Sequence, residues 1–497
     1  MLQDLKRTFG QSAVYGAGNV LVKLTGLILL PVYLKGLNTD AYGMLILFEV
    51  MTQFIVGVFS FRLQSSLLRF GAESGDIRFI RRTYSTATYS MAAVALSGLV
   101  VFVSAAPLFN RFLFEGTAPA AAFPLLFASA AAEMLLLMPL QLCRLKEEPL
   151  KYTGIMALKL AGMLAFVSYF VLVRDLGVFG AVAGIFSANI LALIATLPMQ
   201  IKHLRATYDP ATAKEMFRFG TPLIFTSISA ILLSIGDRVI IKIFGEFSDV
   251  GVYGLAYKIG SVANLLVINS FSLGFLPVAY KKYKTPGFRR FFSKMLTYFS
   301  LVTVLLTLGV SLFSKELIAV LSKKEPDYMA AVILVPFIAF TFIFKAMQFF
   351  ISIVFHLTKR TRYDALVTMS GFGFNIALNF ALIPFYGIYG AVAATGLSYL
   401  SMGLVTKHYA RKQLQVDYEF RRLGILVISC AVCIAAGMAV NPLDLGIRLP
   451  AKILLTGGYL VFLYAAVADA AERGKFMKVV HVIRREGLRA AVTALMK

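Results

Sequence analysis

Apolar runs of about 20 residues recur from one end of this chain to the other. That is the length at which a helix crosses roughly 30 Å of hydrocarbon, and a helix satisfies its own backbone groups where water is absent. Of the 497 residues, 59% are hydrophobic and only 15% are charged, whereas a soluble chain carries about 25% charge. No stretch between runs exceeds about 20 residues, too few for a separate core. The expectation is an all-α polytopic membrane protein with no soluble domain.

About fourteen spans are expected, near 11–34, 42–64, 84–106, 119–141, 152–173, 178–200, 219–243, 252–276, 293–314, 329–355, 363–383, 388–406, 423–441 and 451–470. The first run is too long for the core of a cleaved signal peptide and holds Lys23, so it is read as a span. Lysine and arginine divide 34 against 7 between alternate loops. Positive residues stay on the cytoplasmic side, which puts both termini in the cytoplasm. The net charge of +24 is then topological signal and attraction to anionic lipid, not a nucleic-acid footprint. The basic tail Gly474–Lys497 is expected to lie on the inner leaflet.

The chain also repeats itself. Gly177-Val178-Phe179-Gly180-Ala181-Val182-Ala183 returns as Gly387-Ile388-Tyr389-Gly390-Ala391-Val392-Ala393, and Tyr42-Gly43-Met44-Leu45 returns as Tyr253-Gly254-Leu255-Ala256. Six spans separate the copies, so each starts on the same side and the repeat is parallel. The expected organisation is a six-helix lobe over 1–210, a second over 211–415, and two further helices with the tail over 416–497. Paired bundles of this kind usually move a substrate through the cleft between them. At an offset of 212, Glu133 corresponds to Lys345, so opposite charges are expected to face each other across that cleft.

An ionisable side chain within a span costs about 2.5–3.5 kcal/mol on insertion scales, so it normally faces protein or water. The candidates for a substrate pathway are Lys23, Arg62, Arg238, Lys242, Lys258 and Lys345. Those for ion coupling or charge pairing are Glu49, Glu133 and Asp237, with Asp237 a candidate partner of Lys258. Lys159 and Lys452 sit close enough to span ends to be discounted as snorkelling. Cations outnumber acids, which suits an anionic substrate such as a phosphate or diphosphate.

No catalytic constellation, nucleotide loop or metal motif is present in the sequence. Cys143, Cys430 and Cys433 lack the companions a tetrahedral metal site needs. The outward loops are short, which argues against a glycan polymerase or ligase. No enzyme activity, cofactor or metal is expected.

Ile235-Gly236-Asp237-Arg238-Val239-Ile240-Ile241 followed by Gly251-Val252-Tyr253-Gly254-Leu255-Ala256-Tyr257-Lys258 resembles a signature of bacterial polysaccharide-export flippases. So do Leu37-Asn38-Thr39-Asp40-Ala41-Tyr42-Gly43 and the glycine motif at Gly387. These O-antigen-type translocases share a superfamily with drug/cation antiporters and peptidoglycan-precursor flippases. The resemblance implies two lobes around a cationic cavity that work by alternating access. It also implies an undecaprenyl-diphosphate-linked oligosaccharide turned from the inner to the outer leaflet of the bacterial cytoplasmic membrane. The partners expected are that glycan, membrane lipids, and the glycosyltransferases and polymerase of the same pathway, with no nucleic acid. A drug/cation antiporter is the main competing reading; it predicts twelve spans and an acid-lined cleft.

Overall fold

The computed structural model describes residues 25–73, 76–322 and 326–467, which are almost wholly helical and contain no strand. Lys23 and the basic tail lie outside the described residues.

The first half of the chain forms α1 (Thr25–Gly36), α2 (Thr39–Phe59), α3 (Leu63–Glu73), α4 (Ile77–Leu113), α5 (Ala122–Leu145), α6 (Pro149–Val173) and α7 (Gly177–His203). The second forms α8 (Pro210–Phe244), α9 (Phe247–Gly260), α10 (Val262–Lys282), α11 (Phe288–Leu312), α12 (Ser314–Leu321), α13 (Ala331–Leu357) and α14 (Arg362–Gln413). The last pair is α15 (Phe420–Val440) and α16 (Leu445–Ala466). Short polar caps start several of these helices. Asn38 Oδ1 accepts from Ala41 N–H at 2.8 Å, and Asp209 caps α8 just before Pro210, where a missing N–H costs nothing.

Eleven helices among the described residues are long and apolar enough to span a membrane, not fourteen separate ones. Two local features and the extent of the described residues account for the difference. The runs at 363–383 and 388–406 join into the 52-residue α14, interrupted only at Gly387 (φ 54°, ψ −135°). The run at 252–276 is broken at Ser261 into α9 and α10. Of the first run only Thr25–Gly36 is described, and it is short.

The repeated glycine motif has the same local geometry in both places. Gly177 and Gly387 both take φ 54°, a left-handed turn that glycine adopts without a Cβ penalty. Three residues on, a Cβ at Gly180 would stand 2.9 Å from Phe170 O, and one at Gly390 would stand 2.5 Å from Leu382 O. In each copy the first glycine turns the chain and the second lets the new helix press on the backbone of the one before.

The halves of the chain share a core at one end of the bundle and have separate cores at the other. Leu34, Phe48, Phe114 and Phe123 pack in one cluster with Phe247, Tyr253, Tyr328 and Phe342. This is the charge-poor end, where the loops hold few lysines and arginines. Tyr328 donates to Leu37 O there at 2.8 Å. At the opposite, basic end, Leu63, Tyr84, Met138 and Leu142 form one cluster with Met216, while Phe275, Phe292, Phe350 and Val416 form another. Helix α8 thus runs from the first half's own core to the shared one.

Helices α2 and α9, which carry the second repeated motif, cross at the charge-poor end in backbone contact. A Cβ on Gly43 would lie 1.9 Å from Phe247 O, and one on Gly251 would lie 2.3 Å from Thr39 O.

Helices α15 and α16 pack on α11 through Val304, Leu308, Cys430, Cys433 and Tyr459. A partly buried charge cluster fixes their charge-poor end: Glu316 Oε1 accepts from Arg448 Nε at 2.7 Å and Glu316 Oε2 from Lys452 Nζ at 2.8 Å. Lys452, at the start of its expected span, is completely buried rather than snorkelling. Burial alone would raise the Glu316 carboxyl, but hydrogen bonds from Lys452 and Arg448 outweigh it and hold the group below its ordinary range. A depressed folded pKa gives stability above the unfolded value of about 4.3 that is lost as pH falls through the folded one. Glu316→Gln leaves a buried lysine uncompensated and is expected to cost about 3 kcal/mol, read as a lower thermal midpoint in detergent. Adding Lys452→Met is expected to recover part of that loss.

Candidate functional site

A cavity of about 640 Å³ lies between the halves, lined by parts of α1, α2, α5, α6, α7, α8, α9, α10 and α13. Its charged lining residues are Glu49, Glu133, Lys159, Arg238, Lys258 and Lys345. The volume falls within the roughly 300–1,000 Å³ usual for small-molecule sites. Tyr33 lines the cavity, and Tyr42 and Tyr328 follow it toward the charge-poor end, with ring centroids 6.1 Å apart in successive pairs.

The cations are held in different ways. Lys258 Nζ reaches Glu49 Oε1 at 3.0 Å, an ion pair that joins α9 to α2 and so links the two halves. Lys159 Nζ stands 3.5 Å from Glu133 Oε1. Arg238 Nη1 donates to Asp237 Oδ1 and to Ser234 O, each at 2.8 Å. Its guanidinium lies 4.2 Å above the Tyr257 ring, in the range of a cation–π contact. Lys345 Nζ lies 5.1 Å from the Tyr399 ring and 5.3 Å from the Phe342 ring. It has no carboxylate partner among the described residues.

The structure thus brings together Glu49, Glu133, Arg238, Lys258 and Lys345 of the expected set around one cavity. Glu133 and Lys345 both line it, but Glu133 is engaged by Lys159. Lys159 had been discounted as snorkelling; it stands ten residues into α6 from Pro149, about 15 Å along the helix. Counting that rise would have placed it near the middle of the span.

Three expected residues lie elsewhere. Lys242 is outside the cavity lining: it pairs with Glu115 in the α4–α5 loop and sits 4.2 Å from the Phe247 ring. Arg62 occupies the reversal between α2 and α3, where Phe61 (φ 46°) and Arg62 (φ 52°) are both left-handed, and it does not line the cavity. Asp237 is not a lining residue either, nor does it pair with Lys258. Its second oxygen accepts from the Tyr253 hydroxyl. Tyr253 and Lys258 are five residues apart on α9, about 140° around the helix, so the side facing Asp237 carries the tyrosine and turns the lysine toward Glu49.

Around the cavity, four cations are set against three carboxylates when Asp237 behind Arg238 is counted. The excess is therefore narrower than the sequence implied, and it centres on Lys345. The arrangement offers an anion a guanidinium and an ammonium backed by aromatic faces in a largely apolar chamber. Among the described residues no group of histidine, cysteine and carboxylate side chains is arranged to hold a metal.

Fold and cavity define a polytopic helical membrane protein whose halves enclose a charged chamber and meet at one end. The chain belongs to the polysaccharide biosynthesis protein family, whose model matches residues 11–281. A curated relative, the probable low-salt glycan biosynthesis flippase Agl15 of Haloferax volcanii, is 23% identical over 222 residues. That match covers 44% of this chain and 47% of the relative, about half the length of each.

Among solved structures, the lipid II flippase MurJ in an inward closed conformation matches with a TM-score of 0.73 at 12% identity, covering 91% of this chain and 99% of that one. An inward-facing multidrug resistance transporter of the MATE family matches at 0.66 and 12% identity, over 81% of this chain and 95% of that one. At such identities the likeness is one of fold. The relatives are flippases and transporters rather than enzymes.

Proposed function

We propose that this protein is a flippase that carries an undecaprenyl-diphosphate-linked oligosaccharide from the inner to the outer leaflet of a bacterial cytoplasmic membrane. The observation that carries the reading is the cavity itself, in which Lys345 has no carboxylate partner among the described residues and Arg238 lies on Tyr257. The diphosphate engages those two cations and displaces Glu49 from Lys258, while the sugar occupies the polar part of the chamber and the prenyl chain stays in lipid. The turn makes and breaks no bond.

In this reading the chain crosses the membrane fourteen times as two parallel six-helix lobes, 1–210 and 211–415, followed by a helix pair and basic tail over 416–497. The interruption of α14 at Gly387 leaves a stretch long enough to cross a bilayer on either side, which supports counting that helix as two spans. The basic end is cytoplasmic, as are both termini. The shared core at the charge-poor end then makes this the state closed to the outside, and transport alternates it with one closed at the basic end. Glycosyltransferases and a polymerase of the same pathway supply and consume the cargo.

A strain deleted for this gene tests the reading. Its lipid-linked glycan is expected to accumulate where only the cytoplasmic leaflet is probed, and the wild-type gene is expected to clear it. Accumulation on the outer leaflet would indicate a polymerase or ligase instead. Sensitivity to cationic dyes with normal glycan export would indicate a drug antiporter.

A further inference from the structure

A second cavity, of about 480 Å³, shares no lining residue with the first. It lies at the charge-poor end between the end of α4 and the start of α5, lined among others by Val103, Pro107, Asn110, Arg111 and Glu115. Arg111 is exposed and has no ion pair among the described residues. Asn110 donates to Ala118 O at 3.2 Å, while its own Oδ1 is buried and unpartnered. Glu115 is already engaged by Lys242, so its charge is answered.

The cavity continues onto a lipid-facing stripe. Val103 and Pro107 line it, and Leu96 and Val100, 65% and 62% exposed, extend the same line down α4. Positions 96, 100, 103 and 107 fall within about 60° of one another around a helix, and Asn110 lies on that side too. An exposed guanidinium therefore caps an apolar track of about three helical turns.

The geometry points to a binding site for an anionic glycerophospholipid of the phosphatidylglycerol type. The phosphate meets Arg111, the headgroup enters the cavity beside Asn110, and an acyl chain lies along Leu96, Val100 and Val103. The occupant is a membrane lipid and not the transported cargo, because the site is separate from the chamber between the halves and opens along the lipid-facing side of α4.

Native mass spectrometry of the full chain, titrated with phosphatidylglycerol or phosphatidylethanolamine, tests this. The wild type is expected to retain one phosphatidylglycerol about fivefold better than phosphatidylethanolamine, the effect of one interfacial arginine. Arg111→Gln is expected to remove the preference. Ala106→Phe fills the groove without touching its charge and is expected to abolish the bound lipid. Arg174→Gln, an exposed arginine at the same end, is expected to leave it. Equal retention of both lipids by the wild type, an unchanged preference in Arg111→Gln, or binding of a polyprenyl phosphate without phosphatidylglycerol would overturn the assignment.

Discussion

Gly251→Val is expected to open the charge-poor end of the protein and to stop transport. The Cβ of any residue at 251 meets Thr39 O at 2.3 Å, and one at 43 meets Phe247 O at 1.9 Å. Both obstacles are backbone atoms, which cannot swing aside as a side chain would. Helices α2 and α9 must therefore move apart. Overpacking of this kind costs about 1–3 kcal/mol. The cost falls only on the conformation in which these helices touch, so the balance of states shifts by about fivefold to more than a hundredfold. A cysteine introduced at Gln53, an exposed residue of the cavity lining, reads the shift. Its labelling by a membrane-impermeant reagent added at the charge-poor side is expected to rise in Gly251→Val. Gly424→Val, where a Cβ meets open space, is expected to leave labelling unchanged. Equal labelling in all three proteins would remove the α2–α9 crossing from the gate.

Neutralising Arg238 and Lys345 together is expected to lower glycan transport at least about a hundredfold. A hydrogen bond to a charged group contributes roughly 1.5–3 kcal/mol, and two such contacts to a diphosphate multiply. Lys345 carries the larger share of the inference, because no carboxylate competes for it among the described residues. Arg238 is 5% exposed and also holds Asp237, so its loss alone disturbs the fold as well as the site. For that reason Lys345→Gln is read beside Lys345→Arg, which keeps the charge and is expected to retain most transport. Lys159→Gln frees Glu133 and is expected to cost less than Lys345→Gln. Full export by the Arg238→Gln, Lys345→Gln double variant would exclude these two cations from substrate handling.

The helical membrane architecture was legible in the apolar runs, and the glycine motifs marked real turns at Gly177 and Gly387. What the sequence could not supply was the pairing of its charges. Lys258 meets Glu49 across 209 residues, Lys242 meets Glu115 across 127, and Lys452 meets Glu316 across 136. Such partners are set by helix packing, which leaves no local pattern to read. Glu115 and Glu316 were overlooked because they lie in connections between spans, where a carboxylate needs no partner to be tolerated. Asp237 and Lys258 looked like partners because both lie near the same end of adjoining helices. Helical phase, which turns Tyr253 rather than Lys258 toward Asp237, decides otherwise.

On the function proposed here, a diphosphate-linked glycan passes through the chamber between the halves. Reconstitution into vesicles with a labelled undecaprenyl-diphosphate glycan on one leaflet, followed by a probe of the opposite leaflet, tests it most directly. Wild-type protein is expected to move this lipid, the Arg238→Gln, Lys345→Gln double variant is expected not to, and neither is expected to transport a lipophilic cationic dye. Transport of the dye with no movement of the glycan lipid, or equal glycan movement by both proteins, would contradict it.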